Sequence, residues 1–84
     1  MNNLIGFLGV IKALTVVDDN CVTILLVPPK MPNNGITCCA KGAMAEMCKK
    51  ELKEGSFCAV QCVLEQNEVK GYDLIVNKLS FIKE

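Results

Sequence analysis

Residues 36–64 read ITCCAKGAMAEMCKKELKEGSFCAVQCVL, and the way this stretch divides decides the fold. Its opening, Ile36–Lys41, reads as a strand by alternation, with Ile36, Cys38 and Ala40 on one face and Thr37, Cys39 and Lys41 on the other. The middle, between Gly42 and Gly55, predicts one amphipathic helix of about three turns. Met44, Met47, Cys48 and Leu52 form its apolar stripe, and Glu46, Lys49, Lys50, Lys53 and Glu54 lie outside it. Gly55 stands where a C-terminal cap belongs. The close, Ser56–Leu64, reads as a strand again. Cys58, Val60, Cys62 and Leu64 share its inner face, while Phe57, Ala59 and Val63 point outward.

The rest of the chain reads as strands. Leu4–Val17 is apolar with Gly6 and Gly9 inside it, which predicts a curved or bulged strand rather than a helix. Asp18–Asn20 is turn chemistry, and Cys21–Val27 is a short β-branched run that predicts a buried strand. The segment 28–35 holds all three prolines and reads as a loop. Residues 65–71 form a polar hairpin connection, and Tyr72–Ile82 is a last strand with a bulge or bend at Asn77–Lys78. Three strands, one helix and two strands is the layout of the OB-fold, a small all-β barrel of five strands whose helix closes one end. We expect one such domain over residues 1–84.

Composition bounds the chemistry. Hydrophobic residues make up 51% of the 84, enough for a compact core in a chain that buries only about 60% of its unfolded surface. Nine lysines balance nine acids, with no arginine, histidine or tryptophan. The usual general base near neutral pH and the commonest metal ligand are therefore missing. The guanidinium fork for phosphate or guanine is missing as well. No nucleophile–base constellation, phosphate-cradling loop or paired carboxylates appear, so the chain reads as a binding protein and not an enzyme, with no cofactor.

Six cysteines sit inside apolar runs, not in loops, and MNNLIGFLGVIKAL has neither the charged start nor the cleavage site of a signal peptide. The expectation is a reduced, cytoplasmic protein, with no apolar run long enough for a membrane span. Cys38 and Cys39 point to opposite faces of a strand. Cys58 and Cys62 stand roughly 13 Å apart along one. Neither pair can grip a common metal ion. Cys38, Cys58 and Cys62 read as small buried hydrophobes, and Cys39 as the exposed, oxidisable one.

Three stretches resemble the bacterial and phage single-stranded-DNA-binding protein family, with primosomal replication protein N as a close relative. LIGFLG (4–9) is similar to the family's opening strand. AKGAMAEMCKKELKEGS (40–56) is similar to its third-strand-to-helix segment. GYDLIVNKLSFI (71–82) is similar to its last strand, in which Phe81 takes a core position. The resemblance implies an OB-fold, a homodimer or homotetramer, and sequence-tolerant binding of single strands. Gly35 and Lys41 fall where the family carries stacking aromatics, and its arginines, flexible linker and acidic tip have no counterpart in these 84 residues.

Single-strand binders combine a cationic groove with aromatic platforms. Lys41 and Thr37 lie on the outward face of the third strand, where the resemblance places the nucleic acid. Lys12 and Lys30 lie on the first strand and the 28–35 loop, which line the same groove. Tyr72 stands at the mouth of the last hairpin, either on a base or half-buried in its strand. Phe7, at an outward position of the first strand, either stacks a base or sits in a subunit interface. The helix lysines read as a solvated face paired with Glu46 and Glu54.

Two functions follow. One is a non-sequence-specific single-stranded DNA-binding protein of replication or repair, with RNA an open alternative, weak as an isolated domain and helped by oligomerisation. The other is an accessory OB-fold subunit that meets a polymerase, primase or helicase through the apolar outward residues Phe57, Ala59 and Val63.

Overall fold

In the computed structural model residues 4–31, 33–69 and 71–82 are described. The elements follow the expected order: β1 (Leu4–Asp18), β2 (Cys21–Val27), β3 (Ile36–Lys41), α1 (Ala43–Glu51), β4 (Phe57–Asn67) and β5 (Gly71–Phe81). The strands close into a barrel in the order β1-β2-β3-β5-β4. Every junction is antiparallel except β3–β5, which is parallel. With the single helix between β3 and β4, this is the five-stranded OB-fold.

β1 serves two neighbours. Its first half, Leu4–Val10, pairs with β4, and its second half, Val10–Asp18, pairs with β2. At the change of partner the backbones pack closely, since a Cβ on Gly9 would press on the Val27 carbonyl. Lys12 is the unpaired residue of a bulge between Ile11 and Ala13, which bends the strand there. The bulge expected from the interior glycines is thus present, but at Lys12 and not at a glycine. At the first hairpin the Asp18 carboxylate accepts the Asn20 N–H at 2.7 Å, an Asx turn.

The interior is apolar throughout, and no buried polar or charged side chain occurs among the described residues. Val22, Ile24 and Leu26 are wholly buried at every second position of β2, facing Ile11, Cys38, Ala40 and Val60. Each such aliphatic side chain contributes about 1.5–3 kcal/mol by leaving water. α1 covers one end with Ala45, Cys48 and Leu52 buried and Met44 and Met47 half-buried, which is the expected stripe with Ala45 added. Gly42 at φ 61° turns the chain into the helix, a conformation that a side chain disfavours. No helix of the described residues is long and apolar enough to cross a membrane.

Four details differ from expectation. The helix ends at Glu51 and its C-cap is Leu52, not Gly55. Leu52 is drawn into the core, so the chain turns extended there, and Gly55 instead shapes the next turn and donates its N–H to the Ile11 carbonyl at 2.8 Å. The last hairpin is tighter than 65–71, because β4 runs to Asn67 and β5 resumes at Gly71. Leu64 is exposed, since it lies beyond Leu4–Val63, the last described β1–β4 pair, where β4 and β5 continue as a ribbon. Phe81 is 41% exposed instead of being a core residue: it ends β5 at the barrel rim, and Leu79 fills the interior two residues earlier. The bulge expected at Asn77–Lys78 is present, with Asn77 unpaired between Val76–Cys62 and Lys78–Gln61.

Candidate nucleic-acid interface

The outward face of β1, β2 and β3 is laid out in rows by the strand register. Ala13, Leu25 and Thr37 form one row, Thr15, Thr23 and Cys39 the next, and Asp18, Cys21 and Lys41 the last. Thr37 and Lys41 therefore share a face, as alternation predicts, but lie two rows and roughly 13 Å apart. Lys41 sits beside acids: its ammonium pairs with Glu65 at 3.8 Å, both side chains about half exposed. A pair that exposed is worth about 0–1 kcal/mol, so Lys41 can exchange Glu65 for another anion at little cost.

Lys12 and Lys30 are at the other end of this face. The bulge leaves Lys12 exposed beside the Ala13 row. Lys30 is exposed in the turn after β2, where the Met31 N–H donates to the Pro28 carbonyl at 3.1 Å.

A cleft of about 480 Å³ opens beside Thr37. It lies where β3 and β5, whose one described registered pair is Cys39 with Ile75, leave Ile36 and Thr37 unpaired with Tyr72–Leu74. Phe7, Ile36 and Leu74 supply its apolar lining. Thr37, Tyr72 and Asp73 supply its polar groups. Three of the six candidate contact residues, Phe7, Thr37 and Tyr72, thus line one cleft, while Lys41, Lys12 and Lys30 are not among its lining residues.

The placement of Phe7 corrects the sequence reading. It does not point outward: it pairs with buried Val60, faces the barrel interior and packs half-buried against the core. Leu4, Leu8 and Val10 hold the outward positions, 38–47% exposed. A run of small and apolar residues on both faces of LIGFLG conceals which parity is inward. Tyr72 is 59% exposed on the rim. Gly35 lies just before β3 at the cleft, and a Cβ there would press on the flexible end of the Leu25 side chain.

Asp73 was not legible as a site residue. Its carboxylate accepts the Asn67 amide N–H at 2.7 Å, and the Asn67 side-chain oxygen accepts the Val69 N–H at 2.8 Å. This chain fixes the carboxylate at the cleft. Local sequence held no signal for it, because the cleft depends on the parallel β3–β5 junction.

Phe57, Ala59 and Val63 do face outward on β4, half-buried, and adjoin Leu8, Val10 and Leu4 across the β1–β4 ladder. The cysteines are all free thiols. Cys38 is buried, as expected, whereas Cys39 is half-buried at the cleft and not exposed. Cys38 and Cys62 approach to 3.6 Å across the interior, and that hydrogen bond together with burial pushes the Cys38 thiol up. Burial pushes Cys48 up to about 11. Lys49 pairs with Glu46 at 3.4 Å on the helix surface and also donates to the Asp19 carbonyl at 3.0 Å.

No protein-family model matches the chain, and no curated protein matches it by sequence. Among solved structures it is similar to the second single-stranded-DNA-binding protein (SSBb) of Mycobacterium smegmatis. The TM-score is 0.67 at 14% identity, covering 96% of this chain and 89% of that one. Similarity at that identity establishes the shared OB-fold.

Proposed function

We propose that the chain binds single-stranded DNA without sequence specificity, in replication or repair, across the β1–β2–β3 face and the cleft beside it. The observation that carries this reading is the convergence of Phe7, Thr37 and Tyr72 on one cleft, with Lys12, Lys30 and Lys41 exposed elsewhere on the adjoining elements. The geometry suits a strand whose phosphates run over the lysines while its bases face the aromatics. Resemblance to the single-stranded-DNA-binding proteins, in sequence stretches and in fold, supports it. With zero net charge, one such face binds weakly, and a homodimer or homotetramer gains avidity by presenting several faces to one strand. The test is fluorescence anisotropy of a labelled dT oligomer at low and moderate salt, beside duplex of equal length. Preference for the single strand, weakening with salt, is expected; no binding at low salt refutes the reading.

A second reading has its own support. Leu4, Leu8 and Val10, with Phe57, Ala59 and Val63, make an apolar outward patch beside a segment of β1 whose described ladder is with β4 alone. Such a patch and open strand edge suit a second copy of this chain or a polymerase, primase or helicase. Light scattering tests it: an oligomer that Leu8→Lys dissociates is expected, and a monomer that ignores replication proteins removes its support.

A further inference from the structure

We infer that the cleft between β3 and β5 is a pocket for a single nucleobase, and that Asp73 makes it favour bases carrying an exocyclic amino group over thymine. This rests on the single-strand reading above and adds a base preference to it.

The cleft's volume, about 480 Å³, lies within the range of small-ligand sites and admits one planar ring system. Phe7, Ile36 and Leu74 offer apolar surface to the ring inside, and Tyr72 offers a face at the rim. Among the described lining residues the one charged group is the Asp73 carboxylate, and no lysine takes part. A phosphate is repelled from such a site, so the part of a nucleotide that fits is the base.

An ionised carboxylate only accepts hydrogen bonds. Cytosine, adenine and guanine each present an amino N–H at the ring edge. Thymine presents its single ring N–H between two carbonyl oxygens, whose lone pairs oppose the carboxylate. The Asn67 bond holds one Asp73 oxygen in place before any ligand arrives, and the other oxygen remains to accept from the base. Thr37 adds a hydroxyl able to donate or accept at the same mouth.

The test uses the whole chain and free deoxynucleosides, followed by NMR at the Phe7 and Tyr72 rings and the Thr37 amide. Deoxycytidine is expected to move these resonances at about tenfold lower concentration than thymidine, the scale of one charge-assisted hydrogen bond. Asp73→Asn is expected to remove the difference. Equal responses to the two nucleosides, or no response at these residues, overturn the inference on the unaltered protein, whether or not the variant folds. Anisotropy with dC and dT oligomers separates the two levels. Strands that bind with no dC preference refute the pocket's selectivity and leave single-strand binding standing. Deoxycytidine entering the cleft when no strand binds refutes single-strand binding and leaves the pocket standing.

Discussion

The two walls that flank β5 are built differently. On one side β5 registers with β4 along both strands, from Cys58–Phe81 to Asn67–Gly71, interrupted only by the Asn77 bulge. On the other side it meets β3 at one described pair. The continuous wall has buried Cys58, Val60, Cys62, Val76 and Leu79 behind it, with hydrogen bonds satisfied along the ladder. The divided wall leaves a cleft with an aromatic inside and a carboxylate at the mouth. The barrel thus closes its antiparallel junctions along extended ladders and its one parallel junction at a single described pair.

The largest effect that tests this division is a core truncation away from the cleft. Ile11→Ala removes a side chain only 1% exposed, and is expected to cost about 2–5 kcal/mol by the denaturation midpoint. Leu74→Ala, at the half-open cleft, should cost less, and equal losses would break the contrast.

Alkaline pH gives the next largest. Burial raises the Cys48 thiol from 9.0 to about 11 and raises Cys58 in the same direction. Above about pH 9 the unfolded chain releases protons that the folded barrel retains, so stability falls as pH rises. The expected slope is about 1.4 kcal/mol per pH unit per such thiol, ending near pH 11 for Cys48. Denaturant titrations at stepped pH measure it, and a flat profile from pH 8 to 11 would contradict it. The cleft-side thiol, Cys39, should react with a maleimide before the buried ones.

Binding should be affected from the open side. Tyr72→Ala is expected to weaken single-strand binding by about 1–3 kcal/mol in anisotropy titrations, with little change in stability because the ring is mostly exposed. The smallest effect belongs to Lys41→Ala. Removing one phosphate contact should lower the salt slope of binding by about 0.7, while loss of the exposed Glu65 pair changes stability by less than about 1 kcal/mol.

The fold was legible because its signals are local. The β2 alternation, the Met44–Leu52 stripe and the turn residues at Asp18–Asn20 each specify an element without reference to distant chain. The same holds for the bulge at Asn77. The site was legible in part: Thr37 and Tyr72 follow from alternation and hairpin position. Phe7 was assigned the wrong face because Leu4, Ile5, Phe7 and Leu8 put apolar residues on both faces of β1, so parity cannot be read there. Asp73 escaped notice because its place at the cleft depends on the parallel β3–β5 junction, which is a property of the closed barrel. Phe81 misled by resemblance, since a strand's last residue sits wherever the barrel happens to end.

The division of β1 between two partners bears on how the chain is made. During synthesis from the N-terminus, Val10–Asp18 can pair with β2 as soon as Val27 has emerged, and β3 can join soon after. Leu4–Gly9 must wait for Cys58–Val63, some fifty residues later. The register therefore makes Leu4–Gly9 the segment whose partner is made last, and the apolar stretch expected to stay open longest to pairing with neighbouring chains.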